Sequence, residues 1–319
     1  MGVVIRKMKV EDLVDVKGVD LLAWTDLMER SYGLKAKLAP RTDESILSYL
    51  HSDPEGAFVA YDEFAGAIGS CFSHVWGRTG WVGPLSVLPS YQARGLGKEL
   101  LKRSLQYLED QGCVDIGLET MPENATNLGM YLKVGLRPEG LVLVLGKKLE
   151  RLELEEEPSD GVTVERLSES SVQPHIMSQV KRISSAVRLG LDYSKEVELA
   201  QEYSFGDTIV ATSKGKVVGF CVVHTVARRT NMPVASVKAL VIDPASKADA
   251  LPPLVSSAEL LAADAKVPEM SIAMPAISRR AVDIAFSRGY SVLQTFERLM
   301  YIGSSGMSDR LVNLSSWSG

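Results

Sequence analysis

The sequence of 319 residues has few cysteines, few aromatic residues and no long apolar run. Its cysteines, Cys71, Cys113 and Cys221, are odd in number and too few for a disulfide framework, which favours a reducing compartment. Because no run of about 18 apolar residues occurs, we predict no membrane-spanning helix and no membrane partner. Residues 1–7 lack the apolar core of a secretory signal. These absences together predict a cytoplasmic protein.

The chain also lacks an excess of basic residues. Lysine and arginine number 35 against 40 aspartates and glutamates, which gives a net charge of −5. Proteins that neutralise nucleic-acid phosphates normally carry the opposite balance, so we expect no nucleic-acid partner. The hydrophobic fraction of 45% and the charged fraction of 24% are typical of globular proteins. Since one domain usually takes about 100–200 residues, the length predicts two domains.

The two halves of the chain repeat one plan. The matches that keep a nearly constant spacing are residues 58–60 with 209–211, residues 69–74 with 219–224, Pro89 with Pro244, and Met121-Pro122 with Met274-Pro275. A spacing that drifts by only a few residues is typical of a duplicated domain with small loop insertions. We therefore interpret the chain as two copies of one domain.

The joint between the copies is a charged, turn-forming segment. Residues 155–161 read Glu-Glu-Glu-Pro-Ser-Asp-Gly, which combines like charges with strong turn formers. We place the boundary there and predict domains at residues 1–157 and 158–319.

Hydrophobic periodicity predicts an alternation of strands and helices in each copy, in the order strand, helical region, several strands, helix, strand, helix, strand. In the first copy the predicted helical segments are residues 11–50, a helix starting at Gly97 and residues 123–134, and the predicted strands include 57–61, 67–75, 81–88 and 115–120. The class is therefore α/β with a mixed sheet.

The most informative segment is residues 87–98, which lie between an apolar strand and an amphipathic helix. Gly95 and Gly97 remove side chains where the helix begins, so backbone N–H groups can converge on an anion at the positive end of the helix dipole. Arg94 and Lys98 add positive charge. The segment predicts a cradle for a diphosphate.

Two common phosphate motifs do not account for this segment. No Gly-Lys-Ser/Thr sequence occurs here, so it is not a P-loop. The dinucleotide-binding pattern needs a third glycine where Leu100 stands. Glycines that merely cap a turn are the structural alternative.

Residues 92–97, Gln-Ala-Arg-Gly-Leu-Gly, resemble the Gln/Arg-x-x-Gly-x-Gly/Ala signature of the GNAT acyltransferase superfamily. Residues 124–136 resemble a second segment of that family, Asn-(x6)-Tyr-(x3)-Gly-Phe, with Leu136 in the place of the phenylalanine. The resemblance covers residues 3–150, and it extends to residues 162–303 only through the internal repeat.

This resemblance implies two tandem GNAT-like domains, each a mixed, splayed sheet flanked by helices. Acetyl-CoA, as cosubstrate, would lie between the strand that ends at Val87 and the strand that ends at Thr120. The residues implied to bind it are Leu85, Ser86, Val87, Gln92, Ala93, Arg94, Gly95, Leu96, Gly97, Lys98, Asn124 and Tyr131. Residues 92–97 would hold the pyrophosphate through backbone amides, residues 85–87 would pair with the pantetheine like an added strand, and Asn124 would hydrogen-bond the pantetheine.

The implied reaction is direct attack of a primary amine on the thioester. Tyr131 matches the position of a general acid for the departing thiolate, and a core aromatic is its alternative interpretation. The amine must lose a proton to a base or a water chain. Glu119 is our first candidate for the base and His74 the second. We predict no metal, because Cys71 and His74 are three residues apart on a strand and point to opposite faces.

The second copy has lost the cradle residues. When Pro89 is aligned with Pro244, the matched positions are Arg94 with Asp249, Gly95 with Ala250, and Gly97 with Pro252. Proline has no N–H to donate, and Asp249 would repel a phosphate. Near the position of Tyr131 stand Ile284, Ala285 and Phe286. We therefore predict that this degenerate copy is non-catalytic and does not bind CoA conventionally.

The predicted function is an N-acetyltransferase whose acceptor is an amine of a small molecule, a protein lysine or an N-terminus. A non-catalytic CoA-binding or regulatory module is the alternative, and a tandem synthase of the mycothiol-synthase type ranks third. The second copy has three open roles: completing the substrate pocket, forming a homodimer, or sensing a ligand. Trp24, Tyr32 and Trp76 are candidates to line the acceptor site.

Overall fold

The computed structural model describes residues 2–33, 38–149, 161–169, 173–230 and 232–315. The predicted boundary at residues 157–158 lies outside these residues. The helices are α1 (Leu13–Tyr32), α2 (Asp43–Ser52), α3 (Leu96–Asp110), α4 (Ala125–Val134), α5 (Gln173–Val187), α6 (Ser194–Glu202), α7 (Leu251–Asp264) and α8 (Arg279–Ser287). None of the described helices is both long enough and apolar enough to cross a membrane.

The strands belong to one mixed sheet. They are β1 (Val4–Lys7), β2 (Phe58–Asp62), β3 (Gly66–Trp76), β4 (Thr79–Val87), β5 (Asp115–Thr120), β6 (Arg137–Lys148), β7 (Thr163–Arg166), β8 (Gly206–Ser213), β9 (Lys216–His224), β10 (Val234–Ile242), β11 (Glu269–Pro275), β12 (Ser291–Ile302) and β13 (Asn313–Ser315). Their order is β1-β2-β3-β4-β5-β12-β6-β11-β10-β9-β8-β7, and β13 pairs with β10. The mixed α/β class and the repeated element order are confirmed.

Helix α3 shows how the sequence builds these elements. Its apolar residues Leu100, Leu101, Leu105 and Leu108 recur at helical spacing, and all four are buried in the core of the first copy. The helix begins one residue earlier than predicted, after Gly95, which adopts a left-handed φ of 83°.

Helices α1 and α3 cover opposite faces of the sheet. Val59, Ala67 and Phe72 pack in one cluster with residues of α1 and α2. Their neighbours in sequence, Ala60, Ile68 and Cys71, pack in another cluster with residues of α3. Because successive strand residues point to opposite faces, the two helices lie on different sides of the sheet.

The sheet opens in the middle of the first copy. Strands β4 and β5 are parallel and pair only where Thr79–Trp81 face Asp115–Gly117. Beyond Trp81 the two strands separate, and the splayed sheet that the family resemblance implies is confirmed.

The two copies exchange their last long strands. Strand β12 of the second copy lies between β5 and β6, and β6 of the first copy lies between β12 and β11. The sequence does not predict this exchange. The sheet is therefore continuous across both copies.

A hydrophobic core is also shared. Trp76 and Trp81 of the first copy cluster with Ile183, Tyr193 and Phe220 of the second. Trp76 is 1% exposed, and its indole N–H donates to Glu196 at 2.6 Å. The suggestion that Trp76 lines an acceptor site is therefore wrong, because its ring packs between the copies.

Candidate active site

A cavity of about 700 Å³ lies in the gap between β4 and β5. This volume is typical of a ligand pocket. Predicted residues that line it are Leu85, Ser86, Val87, Gln92, Ala93, Gly95, Leu96, Gly97, Lys98, Glu119, Asn124 and Tyr131. Trp24 of α1 lines it too, whereas the side chain of Tyr32 lies outside the described part of the chain.

The turn before α3 presents free backbone donors. Over the described residues, no protein acceptor takes a hydrogen bond from the N–H groups of residues 93–98. The first helical bond runs from Glu99 N to the carbonyl of Gly95 at 3.1 Å. Ala93 and Gly95 both have left-handed φ values, 60° and 83°, which turn successive N–H groups toward a common concavity. An anion bound there would satisfy several donors at the positive end of α3.

Arg94 is the predicted binding residue whose side chain lies away from the cavity lining. Its guanidinium donates to the carbonyl of Ser90 at 2.9 Å and lies 5.2 Å from the centre of the Tyr91 ring. The side chain thus braces the turn, and only the backbone N–H of Arg94 belongs to the cradle.

Gln92 fastens the turn to its surroundings. Its side-chain nitrogen donates to the carbonyl of Val87 at 3.0 Å, and its side-chain oxygen accepts from Arg30 at 3.0 Å. Arg30 also forms an ion pair with Asp26 within α1. Gln92 therefore links the end of β4 to α1 and fixes the position of the cradle.

Strand β4 has one open edge at the cavity. Residues Leu85–Val87 pair with Gly69–Cys71 of β3 on one side, and no described strand pairs with them on the side of β5. Asn124 caps α4, since its side chain accepts from the N–H of Asn127 at 3.0 Å. Because that bond uses the side-chain oxygen, the amide nitrogen of this cavity-lining residue remains available as a donor.

Tyr131 lies on α4 and is 6% exposed. Burial, with a smaller contribution from the nearby Cys71 thiol, raises the pKa of Tyr131 above its ordinary value, and a hydrogen bond with Thr120 opposes part of that rise. The phenol therefore keeps its proton at neutral pH. The ring both borders the cavity and belongs to the core of the first copy.

Glu119 is not placed to act as the base. Its side chain is 0% exposed and forms an ion pair with Arg298 of β12. Arg298 donates twice to Oε1 of Glu119, from Nε at 3.0 Å and from Nη2 at 2.6 Å. The guanidinium also lies 5.4 Å from the centre of the Trp81 ring. The other carboxylate oxygen, Oε2, is buried without a hydrogen-bond partner among the described residues. Because the whole side chain is buried and held by Arg298, solvent in the cavity does not reach the carboxylate.

Sequence reasoning missed Arg298. The one available signal is its position in the strand Ser291–Ile302, where a single arginine is followed by Leu299 and Met300. A buried cation in such a strand needs a buried anionic partner. The sequence gives no indication that this partner belongs to the other copy.

His74 does not line this cavity, although it contacts Gly83, which does. Its Nε2 donates to the carbonyl of Gly83 at 2.7 Å, and its ring stacks on Trp76. Burial lowers the pKa of His74 to about 4, so the ring is neutral at physiological pH. Since Nε2 carries the proton that it donates to Gly83, that nitrogen cannot also accept a proton from an amine. Across the described ranges, no three acidic, cysteine or histidine side chains group as metal ligands.

The equivalent cleft of the second copy is closed. Helix α7 begins after Ala250, whose φ is −91°, and Pro252 and Pro253 provide no N–H in its first turn. Strand β13 fills the gap beside β10, where Leu314 faces Leu240. Leu314 is fully buried in the core of the second copy.

Comparison with known proteins agrees with this geometry. A model described as the Acetyltransferase (GNAT) family matches residues 21–136, which include the cradle and Tyr131. An acetyltransferase of Sodalis glossinidius is 35% identical over 101 residues, which are 31% of this chain and 70% of that protein.

Two solved structures resemble the whole chain. A candidate acetyltransferase from Pyrococcus horikoshii has a TM-score of 0.70 at 18% identity, over 100% of this chain and 96% of that one. A tandem GNAT protein from the clavulanic acid biosynthesis pathway has a TM-score of 0.59 at 14% identity, over 95% of this chain and 100% of that one. These likenesses confirm a fold of two tandem GNAT-like domains.

Proposed function

This chain belongs to the GNAT acetyltransferase family, and on that premise we propose that it transfers the acetyl group of acetyl-CoA to a primary amine. The observation that carries the proposal is the row of unpaired N–H groups at residues 93–98, beside an open cavity of about 700 Å³. The acceptor would be a small molecule, a protein lysine or an N-terminus.

The residues present fit acetyl-CoA. The N–H groups of residues 93–98 and the ammonium of Lys98 would hold the pyrophosphate. The open edge of Leu85–Val87 would pair with the amides of the pantetheine, and Asn124 would donate to the same arm. In this arrangement the thioester would lie near Tyr131.

In the proposed reaction the neutral amine attacks the thioester carbonyl, an N–C bond forms and the C–S bond breaks. The Tyr131 hydroxyl donates its proton to the departing sulfur. The acceptor enters as an ammonium ion and loses one proton to water before it attacks. It loses a second proton after the attack, and that proton restores the Tyr131 hydroxyl. Water takes the first proton because Glu119 is sealed in its ion pair with Arg298.

The test is release of free thiol from acetyl-CoA in the presence of primary amines, with mass-spectrometric detection of the acetylated product. We expect thiol release that depends on the amine. Binding of CoA without turnover for any amine would instead identify a non-catalytic CoA-binding module.

A further inference from the structure

The second copy contributes a wall to the cavity of the first. Phe296 of β12 lines the cavity, and it is a residue of the second copy placed there by the strand exchange. Phe296 and Arg298 are two residues apart on the strand and therefore share a face. Arg298 pairs in register with Glu119, so the buried ion pair fixes Phe296 beside β5.

Phe296 is part of an apolar cluster. Phe296 and Met121 pack with Trp24 and Leu27 of α1, and all four residues line the cavity. Helix α1 covers the face of the sheet opposite to α3, which carries the cradle. The cavity therefore extends through the gap between β4 and β5, from the sheet face that carries the free N–H donors to the apolar sheet face.

Three of the four charged side chains that line the cavity are basic, and one of these, Arg30, is paired with Asp26. The basic side chains that line it are Arg30, Lys98 and Lys133, and Glu119, which also lines it, is sealed in an ion pair with Arg298. Among the described residues that line the cavity, Glu119 is the one carboxylate, and its side chain is fully buried, so the apolar end has none to hold a second ammonium group.

We infer that the second copy completes the acceptor site, and that the acceptor is a monoamine on an apolar carbon skeleton that packs against Phe296, Trp24 and Met121. This inference rests on the proposed acetyl transfer. It gives the degenerate copy a role in substrate choice, with Phe296 as the specificity-determining residue. Arg298 and Glu119 are positioning residues, since they act through the register of β12.

The first experiment compares kcat/KM of the full-length protein for four linear alkylamines, from propylamine to hexylamine, with kcat/KM for spermidine and glucosamine. Burial of each added methylene should raise kcat/KM about fourfold. Spermidine and glucosamine should be poorer than hexylamine by at least about tenfold, since each carries polar groups that the apolar wall leaves unpaired.

The second experiment uses Phe296→Ala. This variant should reduce the increase in kcat/KM from propylamine to hexylamine, while the Kd of CoA stays unchanged. Phe296→Leu, which keeps most of the apolar volume, should retain most of the gain and guards against a folding defect. Phe286→Ala is the matched control, because Phe286 also belongs to the second copy but is 47% exposed. It should leave every rate at the wild-type value.

The outcomes separate this inference from the proposed function. If the wild-type protein acetylates spermidine or glucosamine better than hexylamine, the apolar acceptor is wrong while acetyl transfer stands. If folded Phe296→Ala keeps the wild-type chain-length dependence, Phe296 does not choose the substrate. Absence of thiol release with all of these amines overturns the apolar monoamine acceptor, and acetyl transfer falls with it only if peptides with a free N-terminus or lysine also release no thiol.

Discussion

One methyl group separates Gly95 from Ala250, the residues that precede the equivalent helices α3 and α7. Gly95 has a φ of 83°, and Ala250 has a φ of −91°. A left-handed φ at this position turns the preceding N–H groups toward the same side as those of the helix. This backbone difference, together with the N–H groups that Pro252 and Pro253 lack, distinguishes a turn that can hold an anion from one that cannot.

The contribution of a single N–H can be measured at Gly97. We expect Gly97→Pro to weaken CoA binding by about 10- to 100-fold, because it removes one donor to a charged ligand. The fold should survive, since Pro252 occupies the equivalent position in α7. Isothermal titration with CoA provides the Kd.

Gly97→Ala is the matched control for this change. A Cβ at Gly97 would meet Met130 Sδ and Val87 at 3.7 Å, which are ordinary contacts, and the N–H remains. The alanine variant should therefore lose less affinity than the proline variant. Equal affinity of a folded Gly97→Pro protein and the wild type would refute the cradle.

Tyr131 makes a prediction about pH. Burial raises the pKa of Tyr131, so the phenol remains a proton donor throughout the neutral and mildly alkaline range. A general acid loses its proton only when the pH rises through its pKa. Loss of this acid should therefore cause no decrease in kcat/KM at any pH lower than about 10, the ordinary tyrosine pKa. The value of kcat/KM should instead rise with pH until the acceptor amine is neutral, since only that form attacks.

The measurement is the pH profile of kcat/KM for two amines of different pKa. The midpoint of the rise should move with the amine, because in the proposed reaction water rather than a carboxylate takes the proton. Tyr131→Phe should lower kcat about 10²- to 10⁴-fold with the Kd of CoA unchanged. A midpoint that is the same for both amines would point to a protein base instead.

At the scale of elements, strands β12 and β13 account for the main difference between the two copies. Strand β12 brings Phe296 and Arg298 into the first copy, and β13 fills the cleft of the second. Leu240 of β10, which pairs with Leu314, is the counterpart of Leu85 when Pro244 is aligned with Pro89. In the second copy, strand β13 thus occupies the position at which the first copy has an unpaired strand edge.

Leu314 tests the role of β13. We expect Leu314→Ala to lower the free energy of unfolding by about 2–5 kcal/mol, because the side chain is fully buried. Leu189→Ala, at a residue that is 78% exposed, should change it little. Urea unfolding provides both values.

The same variant should still bind one CoA per chain. Loosening β13 does not restore the N–H groups that Pro252 and Pro253 lack. A second equivalent of CoA bound to Leu314→Ala would show that β13 alone closes the second cleft.

These elements also show where sequence reasoning ends. The strands themselves and the helix after Gly95 follow from local periodicity and turn chemistry, and so does the cradle. The neighbours of β12 do not, because an apolar strand fits many positions in a buried sheet. Strand β13 has three residues, which are too few for a periodic signal. Glu119 is predicted as a base from its position near the end of β5, and its partner Arg298 is too distant in sequence for that prediction to take it into account.

At the scale of the whole molecule, the copies are interlocked. They share the core around Trp76 and Trp81, and each supplies a strand to the other's half of the sheet. An ion pair between Asp115 and Arg188 joins them as well. Separating the copies would expose strand edges and apolar surface on both.

We therefore expect one cooperative unfolding transition for the full chain, measured by differential scanning calorimetry. The calorimetric and van't Hoff enthalpies should agree, as in a two-state process. Two resolved transitions would show instead that the copies unfold independently in spite of the exchanged strands.

The most direct test of the central claim is a crystal structure of the full-length protein with CoA. The pyrophosphate should lie on the N–H groups of residues 93–98, the pantetheine should run along Leu85–Val87, and β13 should still fill the second cleft. A nucleotide bound in the second copy, or a vacant turn before α3 in crystals saturated with CoA, would contradict the account.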